Sequence, residues 1–413
     1  MPKLLIIGYV WPEPTSSAAG SRMMQLIRFF ISENYQVTFA TTAKKSKNTA
    51  DLISLGIQEK AIELNSGSFD IFIRELKPNL VVFDRFMMEE QFGWRIDNFC
   101  PDAVKILDTE DLHFLRKARQ EAFKTNSKEK DHYHSELAKR EIAAIYRCDL
   151  SLIISEPEME LLYQEFGVPK LILFYLPFML KHLSENQIRE LPNFEARQDF
   201  ISIGNFLHEP NWNAVLHLKN KIWPDLRKRL SQAKMCIYGA YSSQKVLQLH
   251  KPEENFFIEG HAESSKEVLQ NARVLLAPLQ FGAGLKGKLV EAMETGTPSV
   301  TTKIGIEGIS TQQNWNGFIA KKDSEFIEKS VELYTSEKTW QEKQKNGFEI
   351  YNEKFDLKLH AERFSDKLKA LHSDLVSHRR SNFTGAMLQY HLHKSTYYLS
   401  RYIEEKNKKP PTT

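Results

Sequence analysis

The stretch VLLAPLQFGAGLKGKLVEAMETGTPSVTTKIGIE, residues 274–307, holds a complete strand–loop–helix–strand unit. Val274-Leu275-Leu276-Ala277 is a short apolar run of the kind buried in parallel sheets. Gly282-Ala283-Gly284 gives a backbone that can bend tightly and approach a ligand closely. A helix begins near Leu285, and Gly296-Thr297-Pro298 stops it with a glycine cap and a proline. Ser299-Val300-Thr301-Thr302 is the next strand. The start of such a helix offers free N–H groups and a positive dipole end to an anion. Lys286 and Lys288 fall in the first turn, where cations are unfavourable for the dipole, and a bound phosphate would offset them. Glu291 follows one or two turns on. The glycines alone fit a structural strand-to-helix turn equally well; the two lysines and Glu291 favour an anionic ligand.

The same alternation extends in both directions. Upstream in this half, Phe200-Ile201-Ser202-Ile203 leads to Gly204, Met235-Cys236-Ile237-Tyr238 to Gly239 and Phe256-Phe257-Ile258 to Gly260. The first half opens with Leu4-Leu5-Ile6-Ile7, a Pro/Ser/Ala/Gly loop to Gly20, and a helix with Met23, Met24, Leu26, Ile27 and Phe30 on one side. Further strands are expected at Val37-Thr38-Phe39-Ala40, Leu80-Val81-Val82-Phe83, Val104-Lys105-Ile106-Leu107 and Leu150-Ser151-Leu152-Ile153-Ile154. The last runs into Ser155-Glu156-Pro157-Glu158, which reads as a capping box with Ser at N-cap and Glu at N3. Alternating strands and helices force parallel pairing with right-handed crossovers. The expectation is two doubly wound α/β domains, residues 1–180 and 199–354, joined by a polar linker over 181–198 and facing each other across a cleft. Residues 355–413 read as a helical tail packing back on the body.

The 413 residues suffice for two or three domains at about 150 residues each, and 41% apolar with 26% charged residues is a globular composition. A net charge of only +3 argues against a dedicated nucleic-acid binder. The longest strongly apolar run, residues 171–180, is too short to cross a bilayer. The opening MPKLLIIGYVWPEPTSS lacks a signal peptide's small-residue cleavage site, so a soluble cytoplasmic protein is expected. Cys100, Cys148 and Cys236 are scattered and suggest neither a disulfide framework nor a zinc site. No Asp-x-Asp, G-x-S-x-G or dinucleotide-binding glycine fingerprint occurs. His132-x-His134 and His391-x-His393 lack companion ligands.

Residues 278–308, read as PLxxGAGxKxKxxEAMxxGxPxVTTxxGxEG, resemble the donor-site signature of family 4 (group 1) glycosyltransferases of the GT-B fold. GNFLHEPN from Gly204 and the Gly260-His261-Ala262-Glu263 loop are similar to further donor-domain segments, and PEPTSSAAGSRM to the acceptor-domain glycine loop. The resemblance implies transfer of a hexose-like sugar from a UDP- or GDP-sugar, with retention, to a polysaccharide, lipid-linked or glycoconjugate acceptor, and needs no metal or other cofactor. It implies Glu291 on the nucleotide ribose, Gly204, Asn205, Gly282, Ala283, Gly284 and Leu285 around the donor, and Lys286 or Lys288 supplying positive charge to the departing diphosphate. Gly20, Ser21 and Arg22 would face the phosphates or acceptor from the other domain.

Two departures stand out. The first of the family's paired glutamates falls on Ala283, and the usual Arg and Lys after the first donor-domain strand are replaced by Asn205-Phe206-Leu207-His208-Glu209. Lys286 and Lys288 read as substitutes. The family's first-domain histidine has no clean match, leaving Glu110 and His113 as the candidate catalytic groups beside Lys286. A catalytically silent relative that binds nucleotide-sugar or assists assembly is the alternative. In the tail, residues 376–413 hold seven Lys/Arg against two Asp/Glu, and Leu388, Leu392, Leu399 and Ile403 fall near one helical face. Two readings stay open there: packing on the body, or a peripheral contact with anionic lipid at the inner membrane face.

Overall fold

Each short apolar run is followed by a helix that returns the chain to the same edge, so neighbouring strands can pair only in parallel. The computed structural model describes residues 1–309 and 314–407, apart from the side chains of Leu392 and His393. Its strands form two sheets, parallel throughout. The first contains β1 (Lys3–Gly8), β2 (Gln36–Thr41), β3 (Gln58–Ala61), β4 (Leu80–Asp84), β5 (Val104–Asp108), β6 (Leu150–Ile153) and β7 (Leu173–Tyr175), in the order β3-β2-β1-β4-β5-β6-β7. The second contains β8 (Gln198–Ile203), β9 (Met235–Tyr238), β10 (Phe256–Gly260), β11 (Ala272–Ala277), β12 (Ser299–Thr301) and β13 (Gly317–Ile319), in the order β10-β9-β8-β11-β12-β13. In both, the order reverses beside the first strand, and such a reversal opens a crevice beyond the strand carboxyl ends.

Both faces of the sheets are covered. Leu5, Ile7, Val81 and Phe83 enter one core of the first sheet, while Leu4, Ile6, Leu80 and Val82 enter the other. Every strand expected from sequence is present. β3, β7 and β13 are additional: β3 is a polar edge strand, β7 lies inside the apolar run 171–180, and β13 is only three residues long.

Residues 181–198 are more ordered than a plain linker, since Ser184 and Gln187 form a capping box on the helix Glu185–Arg189. The second crossing between the sheets lies beside the first. Leu180 N–H donates to the Phe355 carbonyl at 2.8 Å, and Leu357 N–H donates to the Leu180 carbonyl at 2.9 Å. The helix Leu357–Ser373 then delivers Phe364, Leu368 and Leu371 into a core of the first sheet, where Phe364 stacks on Phe29 with ring centroids 4.8 Å apart. Among the described residues no helix is long and apolar enough to cross a membrane.

Two local expectations are corrected. Ser155 is the N-cap of the helix Glu156–Gln164 but makes no side-chain cap bond; its Oγ donates to Glu158 Oε2 at 2.9 Å, because Glu158 is drawn away to other N–H groups. Arg22 does not face a phosphate. It is buried, with Nε and Nη2 on Asp108 Oδ1 at 2.9 and 2.8 Å and Nη1 on the Leu176 carbonyl at 2.7 Å. Removing the cation would strand a buried carboxylate at the end of β5. Arg22→Met should therefore destabilise the fold by about 3–5 kcal/mol in urea unfolding, whereas replacement of an exposed arginine such as Arg189 should leave the midpoint nearly unchanged.

Candidate active site

The carboxyl ends of the two sheets enclose one cavity of about 810 Å³. Gly20, Glu110, His113, Gly204, Asn205, Lys288, Glu291 and the whole loop from Gly282 to Lys286 line it. Ser21 does not; its Oγ donates to the Pro14 carbonyl at 3.0 Å. Gly20 is required for space, since a Cβ there would stand 2.3 Å from the Glu13 carbonyl oxygen in the loop folded over the helix Ala18–Ser32.

On the side of the second sheet, the helix Gly287–Glu294 starts at the cavity wall. The first N–H groups of a helix have no partner within it, so this end is electropositive. Lys288 Nζ donates to Asn211 Oδ1 at 2.9 Å, and burial lowers its ammonium to about 8. A Cβ on Gly204 would lie 2.8 Å from that same Nζ, so glycine at the end of β8 makes room for the cation. Lys286 is turned back, with Nζ 2.7 Å from the Gly284 carbonyl and 3.9 Å from Glu307; burial lowers its pKa. Burial raises the Glu291 carboxyl, against a hydrogen bond from the Ser265 hydroxyl.

The opposite wall is acidic. Asp84 and Asp108 end the neighbouring strands β4 and β5 and are paired in register. Arg85 and Glu110, just beyond them, both adopt left-handed backbone, with φ of 71° and 64°. Such strain in non-glycine residues persists only where surrounding structure holds it, commonly at functional sites. Burial, together with Asp108 and Asp84, holds the Glu110 carboxyl well above its usual range. Asp111 behaves oppositely: against the upward push of burial, Arg116, His113 and His208 hold it at about 2. Burial keeps His113 and His208 neutral, each at about 4.

The two walls are tied together by residues that sequence reading missed. Glu158 Oε1 accepts the Gly284 N–H at 2.8 Å and the Leu112 N–H at 3.1 Å, bridging both domains. A donor-side N–H expected to meet a diphosphate is thus held by a carboxylate. Arg119 donates to the Gly282 carbonyl at 2.8 Å and to both Glu307 oxygens at 2.6 and 2.7 Å. Ala283 joins the apolar core of the first domain, which explains why no glutamate stands there. Gly284, at φ 62°, approaches so closely that a Cβ would lie 2.8 Å from Asp111 Cβ. Only Glu307 carried a signal, as part of the G-x-E-G end of the motif. The bridging roles of Glu158 and Arg119 depend on how the domains meet, which a linear pattern does not encode. Among the described residues, no three His, Cys, Asp or Glu side chains are grouped to hold a metal ion.

Two doubly wound domains with a shared cavity at their strand ends define the GT-B fold. Residues 197–336 match the model of the family described as glycosyl transferases group 1, which bears out, at the level of group 1, the resemblance read from residues 278–308. No curated protein matches the chain in sequence. Among solved structures, sucrose-phosphate synthase from Thermosynechococcus elongatus is similar over 90% of this chain and 100% of its own, with a TM-score of 0.68 at 14% identity. TarM is similar over 89% of this chain and 98% of its own, with a TM-score of 0.68 at 10% identity. Anabaena HepE, crystallised with UDP-glucose, is similar over 90% and 100%, with a TM-score of 0.63 at 13% identity. At these identities the likeness is one of fold.

Two outcomes follow from this geometry. Arg119→Ala removes the bond to the Gly282 carbonyl and both bonds to Glu307 that tie this side of the second domain to the first, so amide exchange in the 282–286 loop should quicken at least about tenfold, the loss of roughly 1.4 kcal/mol of local protection, while exchange in β1 and β4 stays unchanged. His113 and His208 titrate near 4 in the fold and near 6.5 when unfolded. Above pH 6.5 they add no pH dependence; as pH falls towards 4 the unfolded chain takes up protons that the fold refuses, and stability drops. Melting curves of wild type and a His113→Gln/His208→Gln variant should diverge in that window and run parallel above it.

Proposed function

We infer that the chain is a family 4 glycosyltransferase that moves a hexose-like sugar from a UDP- or GDP-sugar to a glycan or lipid-linked acceptor, with retention and without a metal, on the cytoplasmic side of surface polysaccharide or glycoconjugate assembly. The observation that carries this reading is the opposition, across one cavity, of a helix start with Lys288 and Glu291 to an acidic wall with Glu110. HepE with UDP-glucose bound in the same fold supports a nucleotide-sugar donor. In this reading Glu291 accepts from the ribose diol, a charge-assisted bond. The chief chemical task is to stabilise negative charge growing on the departing diphosphate, because that charge exists mainly in the transition state. The helix start at Gly287 and the Lys288 ammonium do so, with Lys286 holding the loop in shape. Glu110, which faces the cavity from the acidic wall, takes the proton of the acceptor hydroxyl. His113 stays neutral behind it.

The silent-relative reading draws on a specific observation too: Glu158 holds the Gly284 N–H, and Ala283 lacks a carboxylate. Turnover separates the two. With UDP- and GDP-sugars, wild type should hydrolyse or transfer donor, and Glu291→Gln should weaken nucleotide binding by about 10- to 100-fold, the loss of a charge-assisted bond of roughly 1.5–3 kcal/mol. Lys288→Met should lower turnover more than it weakens binding of the intact nucleotide-sugar. Nucleotide binding without turnover in wild type would favour the silent relative, and absence of binding would sink both readings.

A further inference from the structure

The last helix, Phe383–Asn407, lies on the first domain through its polar face. Gly385 sits where a Cβ would meet the Tyr146 carbonyl oxygen at 2.2 Å. Gln389 donates to the Arg147 carbonyl at 2.9 Å, and Ser400 and Glu404 accept from the buried Arg95 guanidinium at 2.9 and 2.6 Å. Tyr397 stands edge-on to Trp94, with centroids 5.4 Å apart. Most of its large apolar side chains are on the outside. Phe383, Met387, Tyr390, Tyr398 and Tyr402 recur at helical spacing on one face and are between 45% and 71% exposed. Lys394 fills the gap in this stripe, its Nζ on the Tyr390 hydroxyl at 2.8 Å. The stripe runs for about 28 Å at 1.5 Å per residue. The face expected from sequence is corrected: Leu399 is exposed rather than packed on the body, Leu388 and Ile403 are half-buried, and the Leu392 side chain lies outside the described residues.

A contiguous exposed apolar stripe on a soluble domain marks an interaction surface. Its charge selects the partner. Residues 376–413 contain seven Lys/Arg and two Asp/Glu; of these, Arg379 is turned inward to Asp149, and Arg401 and Glu404 pair with each other and with Asp70 and Arg95 of the body. Arg380 and Lys394, both exposed, have no carboxylate partner among the described residues. Tyrosines prefer the level of lipid headgroups, and each Lys or Arg near an anionic surface adds about 1 kcal/mol. A second copy of the chain is the poorer occupant, because a two-fold pairing of identical stripes about their middle would bring Lys394 towards its own copy. We propose that the outer face of the helix Phe383–Asn407 is a docking surface for an anionic phospholipid bilayer, on which the protein lies peripherally. This inference stands independently of the transfer reaction.

Flotation of the full chain with vesicles of phosphatidylglycerol and phosphatidylcholine, set against phosphatidylcholine alone, tests it. The chain should float with the anionic vesicles only, and less so as salt is raised. Met387→Ser/Tyr390→Ser/Tyr398→Ser, all at exposed positions, should reduce binding at least about tenfold without changing the melting temperature. Lys394→Glu should reduce it as well, whereas Ile53→Ser, an equally exposed apolar position elsewhere, should leave it intact. Failure of wild type to float, or flotation of the stripe variant equal to wild type, overturns the proposal. So does self-association in sedimentation that depends on the stripe while vesicles are ignored, which would assign the face to a second copy.

Discussion

The meeting of the two domains turns on one buried carboxylate. Glu158 belongs to the first domain, yet its Oε1 gathers an N–H from each side of the cleft, Leu112 and Gly284. Both donors are main-chain groups at the ends of loops that would otherwise be left unpaired in a dry interface, where an orphaned amide costs about 1–3 kcal/mol. Burial raises the Glu158 carboxyl while these N–H groups pull it down. The glycine loop of the second domain is thus shaped by contact with the first as well as by its own sequence. Arg119 grips the other end of the same loop through the Gly282 carbonyl. The cavity wall nearest the helix Gly287–Glu294 is consequently a joint construction of both domains.

The acidic wall follows from register. Parallel pairing of β4 with β5 sets Asp84 beside Asp108, and two adjacent carboxylates in a buried position require compensation. Arg22 neutralises Asp108, while Asp84 Oδ2 accepts the Tyr9 N–H at 3.0 Å. Burial raises the proton affinity of Glu110, and the remaining repulsion from Asp108 and Asp84 raises it further. A structural pair thereby tunes a neighbouring group that faces the cavity.

The architecture was largely legible because buried parallel strands are written as uninterrupted apolar runs, as at Leu4-Leu5-Ile6-Ile7 and Val274-Leu275-Leu276-Ala277. The edge strand Gln58–Ala61 escaped because it has no buried face to write. The residues on the second-domain side of the cavity, from Gly204 to Glu291, were legible because their spacing lies within short motifs. Arg22 was misread: the resemblance set it beside Gly20 and Ser21 at the phosphates or acceptor, but the side chain reaches across the domain to Asp108, 86 residues away. Glu158 was read as a local cap from its spacing to Ser155. Long-range electrostatics, rather than local pattern, decides where such groups point.

The adjacency of Leu180 and Asp356 has a consequence for biogenesis. Phe364, Leu368 and Leu371 complete a core that Leu4, Ile6 and Phe29 begin, so the amino-terminal lobe cannot close its outer layer while the ribosome is still making the other lobe. The sheet of the carboxyl-terminal lobe closes by Ile319 and can form first, and Leu4 and Ile6 are fully covered only once Phe364, Leu368 and Leu371 have been made.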